Sequence, residues 1–298
     1  MIHTLDLEFQ VKQAIAAFVI ESSAGPVLVE TGPHSVLPRL SSELKALGYE
    51  LADIKHVFLS HIHFDHAGAA WALAQAGAKV YVHPRGYKHL LDPSRLYGSA
   101  KRIYGDMMEA LWGLMEPIPE PLLESVDDER EIQVGDTTFK AWHTPGHASH
   151  HIAWQVGEVI FAGDVAGCKI NGGPVVPPCP PPDINIEQWI ASINILRAQN
   201  PKQLYLTHFG AIDNVSEHLN ELEAILHDWA AWMKPQYDAG RKAPEVVPEF
   251  QAYAHQQLIA AGLDEAGAAR YEAANPSYMS VAGLLRYWHK KTEGTLSI

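Results

Sequence analysis

The sequence has little cysteine and no long apolar run. Only Cys168 and Cys179 occur among 298 residues, which is too few for a disulfide scaffold, so we expect both thiols to be reduced and structural. No apolar run approaches the ~20 residues that a membrane-spanning helix needs, and no membrane association is expected. The first residues lack the basic and apolar regions of a signal peptide, so we expect a cytoplasmic protein.

Basic residues are also scarce: 22 Lys and Arg stand against 35 Asp and Glu, giving a formal net charge of −13. A surface of this sign repels nucleic acid, which is therefore not expected as a partner. No GxSxG, P-loop or GxGxxG motif stands at a strand-to-helix junction, so serine-nucleophile, nucleotide and dinucleotide chemistry have no motif support. A small-molecule substrate is the expected partner.

The pattern of apolar residues predicts two similar α/β halves followed by helices. Apolar runs at 15–20 and 26–29 indicate a hairpin, and Ser35 is expected to cap the helix that follows. We predict an α/β domain over residues 1–213, with a helical insertion at about 84–127, and a helical C-terminal segment over 214–298. The apolar C-terminal helices offer a surface for a possible homodimer.

What the sequence has in excess is histidine, and four metal-binding side chains crowd into one short stretch. Residues 59–68 read LSHIHFDHAG, directly after a predicted buried strand. His61 and His63 are two apart in an extended segment, so both imidazoles point to the same side and can reach one ion. Asp65 and His66 follow as the chain turns into a helix, where they can serve a second ion.

Three further stretches place a metal-binding side chain just after an apolar strand. His147 lies in Thr-Pro-Gly-His, Asp164 in Ala-Gly-Asp, and His208 in Thr-His-Phe-Gly. Loops at strand ends are where α/β sheets place ligands. Imidazole and carboxylate groups suit zinc, with iron or manganese possible, and their combination predicts a metal site.

These motifs resemble the metallo-β-lactamase-fold superfamily over about residues 10–213. The resemblance implies an α/β fold: an αββα four-layer sandwich of two mixed sheets with two divalent metal ions at the sheet edge. It implies that the first ion is held by His61, His63 and His147, the second by Asp65, His66 and His208, and that Asp164 bridges them. Where many members have Asp-Thr-Gly, this chain has Glu30-Thr31-Gly32, and Glu30 is expected to orient a ligand through its longer arm.

The C-terminal motifs, together with the Pro-rich stretch at 177–183, look like a poorly characterised subgroup of hydrolases related to glyoxalase II and lactonases. We therefore predict a dinuclear metal-dependent hydrolase in which a metal-bound hydroxide cleaves a small thioester, lactone or other acyl compound. Asp65 is the predicted catalytic residue, orienting the hydroxide and carrying a proton to the leaving group.

Three alternatives stay open beside this prediction. The same site suits a small-molecule phosphodiesterase, and a mononuclear iron persulfide dioxygenase would use only the ligands of the first ion. A non-catalytic metal-binding module would be favoured by a missing ligand, and none is missing. β-Lactam hydrolysis is not expected, because those enzymes are typically exported.

The substrate pocket is the part that the sequence defines least. Aromatic, Met and Arg side chains of the insertion either line a pocket or pack onto the sandwich, and packing is the commoner fate of such residues. They are Tyr97, Arg102, Tyr104, Met107, Met108 and Trp112. Arg286, Tyr287 and Trp288 are expected to seal the C-terminal segment, and His150 and His151 to be structural.

Overall fold

The computed structural model describes residues 1–296, which contain two mixed six-stranded sheets. The first sheet consists of β1 (Ile2–Asp6), β2 (Ala16–Ser22), β3 (Gly25–Val29), β4 (His56–Phe58), β5 (Lys79–Val82) and β6 (Leu123–Ser125). The second consists of β7 (Glu131–Val134), β8 (Thr137–His143), β9 (Ile152–Val156), β10 (Val159–Phe161), β11 (Gln203–Leu206) and β12 (Gly210–Ile212). Both sheets run in chain order, starting with antiparallel pairs.

Helices lie between and after the strands. Those of the first half are α1 (Leu37–Ala46), α2 (Phe64–Ala67) and α3 (Ala70–Gln75), followed by α4 (Pro84–Leu91), α5 (Ser94–Tyr104) and α6 (Met108–Trp112) between β5 and β6. The second half contributes α7 (Ile186–Ala198), and the chain continues as α8 (Val215–Asp238), α9 (Ala243–Ala260), α10 (Glu265–Ala274) and α11 (Ser277–Thr292). None of the helices among residues 1–296 is long and apolar enough to cross a membrane.

The strands direct side chains alternately to the two faces of each sheet. The buried side chains form three apolar cores, which lie between four layers: helices, sheet, sheet and helices. Phe18 of β2 and Phe161 of β10 face each other between the sheets, whereas Val19 packs under the helices of the first half. Ile160 of β10 packs on the outer side of the second sheet, together with α7 and α8. Because strand side chains alternate in direction, each sheet buries both faces. The predicted αββα sandwich is confirmed.

The C-terminal helices share a core with the second sheet. Leu222 of α8, Phe250 of α9 and Tyr287 of α11 are buried in the same cluster as Trp189 of α7. Burying so much aromatic and aliphatic surface is the main favourable contribution to folding. These helices are therefore packed onto the sandwich over a continuous apolar interface.

Some local expectations were wrong. Ser35 does not cap α1, because residues 34–36 form a 3₁₀ turn and the Ser35 hydroxyl donates to the carbonyl of Leu111. Within the predicted helical C-terminal segment, α10 was not predicted individually, because its Ala-rich sequence buries only Ala268 and Tyr271 and shows no apolar stripe. The short strands β1, β6 and β12 were likewise not anticipated.

Candidate metal centre

The first three predicted ligands meet with their ring nitrogens facing one another. His61 and His63 follow β4, and His147 lies in the loop after β8. Nδ1 of His63 lies 2.8 Å from Nε2 of His61 and 3.1 Å from Nε2 of His147. Such a triangle of imidazole nitrogens can hold one cation.

Asp65, His66 and His208 form a second group of predicted ligands beside the first. Nε2 of His208, after β11, is 3.5 Å from Oδ2 of Asp65, and Nε2 of His66 is 3.6 Å from the same oxygen. The ligand atoms of these three residues lie within 4.8 Å of one another. This group can hold another cation.

Asp164 stands between the two groups. Its Oδ2 lies 3.3 Å from Nε2 of His147, while its Oδ1 lies 3.2 Å from Nε2 of His66 and 3.4 Å from Nε2 of His208. One carboxylate thus faces both groups, each through a different oxygen. The fold brings all seven predicted residues together, and their role as ligands stays a prediction.

Unsatisfied polar atoms show that this donor set fits metal ions. Nε2 of His66 and Oδ1 of Asp164 are buried, and although they lie 3.2 Å apart, neither has a partner in hydrogen-bonding geometry among the described residues. Buried polar atoms without a partner are costly, and a cation between them would remove that cost. Nitrogen and carboxylate oxygen donors at these positions suit a divalent transition metal.

Each of four histidines is held from behind through its Nδ1 atom. His61 contacts Ser60 Oγ at 2.9 Å, His147 the Pro178 carbonyl at 2.8 Å, and His208 the Ala14 carbonyl at 2.6 Å, while His66 contacts Glu30. A carbonyl behind Nδ1 requires the proton on that nitrogen. The Nε2 lone pair is then directed into the site.

Glu30 links two parts of this arrangement. Its carboxylate accepts from the backbone N–H of Ser60 at 2.7 Å and lies 2.8 Å from Nδ1 of His66. Glu30 has a φ of 64°, a left-handed conformation that costs a non-glycine residue about 1 kcal/mol. The paired carboxylate offsets that strain, and Glu30 orients His66 through its longer arm as expected.

The local charges set the protonation of the site. Burial, together with the neighbouring His147, lowers the pKa of His63 to about 4. Burial raises the pKa of Asp65, but His66 and His208 outweigh this effect and lower it to about 2. Burial opposes the charged form of His66, but Asp164 and Asp65 outweigh it, so that the pKa of His66 is raised. A cation bound by His66 would therefore displace a proton.

The two histidines that were expected to be structural differ. His151 supports Asp164, because its Nε2 accepts from the Asp164 backbone N–H at 3.2 Å and its Nδ1 contacts Thr144 Oγ1 at 2.8 Å. His150 instead lines the same cavity as His63, and its structural role stays a prediction.

A cavity of about 960 Å³ opens over the sheet edge that carries the seven predicted ligands, which we call the metal edge. His63, Asp65, Asp164 and His208 line its base. Of the insertion residues singled out from the sequence, Tyr104 and Trp112 line it. Tyr97, Arg102, Met107 and Met108 do not. A volume of this size suits a small-molecule ligand.

The C-terminal segment contributes lining residues within 273–279 to this cavity, and its last helix is held by hydrogen bonds to the rest of the protein. Arg286 donates to the Pro182 carbonyl at 3.2 Å, Tyr287 to Glu187 at 3.0 Å and Trp288 to the Ala230 carbonyl at 2.8 Å, so all three seal the segment as expected. Further lining residues were missed: Phe9, Arg85, Lys88, Arg95, Ile103, Asn275, Tyr278 and Met279. The spacing of Arg85 and Lys88, one helical turn apart, carried a signal in the sequence. So did Asn275, Tyr278 and Met279, which belong to the C-terminal motif Asn-Pro-Ser-Tyr-Met.

Comparison with known proteins agrees with this geometry. The sequence model of the metallo-beta-lactamase superfamily matches residues 13–208. The metallo-beta-lactamase fold-containing protein ST1585 of Sulfurisphaera tokodaii is 30% identical over 178 residues, which are 58% of this chain and 67% of that protein. An N-acyl homoserine lactonase of Bacillus thuringiensis is 26% identical over 185 residues, covering 54% of this chain and 67% of the lactonase.

Solved structures extend the likeness of fold to the C-terminal helices. The metallo-beta-lactamase family protein TTHA1429 from Thermus thermophilus has a TM-score of 0.71 at 20% identity and covers 98% of this chain and 94% of its own. The archaeal ST1585 structure has a TM-score of 0.61 at 26% identity, covering 74% of this chain and 85% of its own. The chain belongs to the metallo-beta-lactamase superfamily.

Proposed function

We propose that the protein is a hydrolase that holds two divalent metal ions and cleaves a small ester-type substrate, either a thioester, a lactone or another acyl compound. The observation that carries the proposal is the position of Asp164, whose two carboxylate oxygens face two separate groups of donors at 3.2–3.4 Å. Zinc is the first expectation for imidazole and carboxylate donors, with iron or manganese as alternatives.

The residues divide into two sets of ligands. His61, His63 and His147 would hold one ion, Asp65, His66 and His208 the other, and Asp164 both. When bound, such a pair of ions lowers the pKa of water towards neutrality and polarises a carbonyl group. The superfamily membership and the similarity to an N-acyl homoserine lactonase support hydrolysis of an acyl compound.

Asp65 is the residue proposed to move protons. Its side chain is 23% exposed, more than that of any other member of the second group, and it lines the base of the cavity. Its low pKa keeps the carboxylate ionised, so it can accept a hydrogen bond from a water molecule and orient it. We propose that the same group carries a proton to the leaving oxygen or sulfur, a role for which bound cations would have to change the charges around it.

The second group of ligands favours this proposal over a mononuclear iron dioxygenase. That alternative requires only His61, His63 and His147. Here His66 and His208 are buried and aim their Nε2 atoms at carboxylates. A chain that used one ion would have no need for these costly buried groups.

Metal content per chain, measured by plasma emission spectrometry, tests the proposal. We expect close to two zinc ions in the purified protein and close to one in the His208→Ala variant. The exposed His255→Ala substitution, remote from the ligand groups, is the matched control. One iron ion per chain, unchanged in His208→Ala, would overturn the two-metal hydrolase. Assays with thioesters, lactones and phosphodiesters then separate the acyl hydrolase from the phosphodiesterase.

A further inference from the structure

One wall of the cavity carries cations that form no ion pair with a described carboxylate. Arg85 and Lys88 of α4 and Arg95 of α5 line it, and none of the three forms an ion pair with a described residue. Elsewhere on the surface, cations such as Arg39, Arg197 and Lys79 are paired with glutamates. Unpaired cations beside one another repel, so their clustering in a cavity favours an anionic ligand.

The surrounding carboxylates do not neutralise this wall. Helices α4 and α5, residues 84–91 and 94–104, contain five Lys and Arg and no Asp or Glu, in a chain whose net charge is −13. Asp92, in the turn between them, lies near Arg95 but accepts from the Ser94 backbone N–H at 3.1 Å and forms no ion pair with a described residue. Asp183, which lines the same cavity, accepts instead from the backbone N–H and hydroxyl of Ser149, at 3.2 and 2.6 Å. The wall thus keeps its positive charge.

Aromatic rings form another part of the cavity. Trp112 stacks on Phe9 at 5.2 Å between ring centroids and lies 5.3 Å from Tyr104 and 6.0 Å from Phe64. All four residues line the cavity. Aromatic surface of this extent favours a ligand with an apolar group, because binding removes the apolar surfaces of both the ligand and the rings from water.

The two regions reach different ligands of the candidate metal centre. A guanidinium nitrogen of Arg85 lies 3.5 Å from the carbonyl of Ser149, two residues after His147, so this cation borders the first ligand group. Phe64 lies between His63 of the first group and Asp65 of the second, and the loop that contains Phe9 leads to Ala14, whose carbonyl holds His208. The aromatic rings therefore extend to the second group.

We infer that the substrate is an amphiphilic ester or thioester, with a carboxylate or phosphate against Arg85, Lys88 and Arg95 and an apolar chain against the aromatic rings. This inference rests on the proposed hydrolase function for the position of the scissile bond between the two regions. The ligand preference itself requires no turnover. Binding and hydrolysis can therefore be tested apart.

Non-hydrolysable thioethers test the inference by isothermal titration calorimetry on the metal-loaded protein. The probes are S-octyl-coenzyme A for phosphate, S-octyl-mercaptosuccinate for carboxylate and S-octyl-N-acetylcysteamine as the neutral form. We expect at least one anionic probe to bind about tenfold more tightly than the neutral one, and this advantage to shrink with added salt. The stronger anionic probe identifies the group that the wall recognises.

Substitutions test whether Arg85, Lys88 and Arg95 cause the preference for anionic probes. In Arg85→Gln/Lys88→Gln, and separately in Arg95→Gln, the ratio of neutral to anionic dissociation constants should fall several-fold. Lys101→Gln/Arg102→Gln, on α5 but outside the cavity, should retain the wild-type ratio. Equal binding of all probes to the wild type, or an unchanged ratio in both cavity variants, would overturn the inference. Absence of thioester hydrolysis with the preference intact would instead count against the proposed function.

Discussion

Glu30 and His66 form a buried pair in which Oε2 of the carboxylate lies 2.8 Å from Nδ1 of the imidazole, with side-chain exposures of 1% and 0%. The other ring nitrogen of His66 faces Asp164. Glu30 therefore fixes the orientation of a predicted metal ligand, His66, although Glu30 is not itself a predicted ligand. Outer partners of this kind change metal affinity without contacting the ion.

Shortening Glu30 should weaken metal binding. In Glu30→Asp the carboxylate loses one methylene and no longer reaches both Ser60 N–H and His66. We expect the metal affinity of the group that contains His66 to fall about 10- to 100-fold, measured by competition with a chelator. The exposed Glu293→Asp change is the control. Unchanged affinity in Glu30→Asp would show that His66 needs no such support.

Removing the shared carboxylate should affect both ions. Asp164→Ala takes away one donor from each group, so we expect both metal stoichiometry and hydrolytic activity to fall, whereas His208→Ala should affect mainly one ion. Metal analysis of the two variants side by side makes this comparison. If Asp164→Ala retains two tightly bound ions, Asp164 does not bridge.

The packing between the sheets can be tested at Phe58. Its ring stacks on Phe139 at 4.0 Å and on Tyr81 at 4.5 Å, and the side chain is fully buried. Phe58→Ala should lower the free energy of unfolding by about 3–5 kcal/mol, because it leaves a cavity between the layers. Chemical denaturation measures the loss, with the exposed Met107→Ala as control. A loss below about 1 kcal/mol would contradict the packing described.

His218, which contacts the turn that carries Asp164, predicts a pH dependence of stability. Burial lowers its pKa to about 4, assisted by Lys169, although the Ala166 carbonyl, 2.7 Å from Nε2, acts in the opposite direction. Its Nδ1 is buried without a partner among the described residues, so the neutral ring is favoured in the fold. The unfolded chain, with a pKa near 6.5, takes up the proton first.

The sign follows from that difference. Because the folded pKa is the lower one, the contribution is complete above pH 6.5 and is lost as the pH falls towards about 4, by up to about 3 kcal/mol. His218→Gln should remove this part of the decline in the free energy of unfolding, whereas the exposed His227→Gln on the same helix should not. Identical pH profiles for wild type and His218→Gln would refute the assignment.

The parts of the fold that could be predicted from sequence are those set by local pattern. Alternation along β2 and β10 assigns Phe18 and Phe161 to the inner layer, and the strand-end position of His61 predicts its place at the sheet edge. The aromatic part of the cavity could not be predicted, because Phe9 and Trp112 meet only after the insertion packs onto the sandwich. Helix α10 escaped prediction because its alanines show no apolar periodicity.

The hydrogen bond between His208 and the carbonyl of Ala14 joins residues 194 positions apart in the chain. Contacts of such sequence separation form late, since the entropy of closing the loop must be overcome first. A ribosome-bound chain that ends before residue 208 can present the 59–68 cluster but not the second group. The first group already joins the two halves through His147, so uptake of the proposed second ion should mark the docking of the segment after β11. The order of metal loading during synthesis would then follow the order of folding.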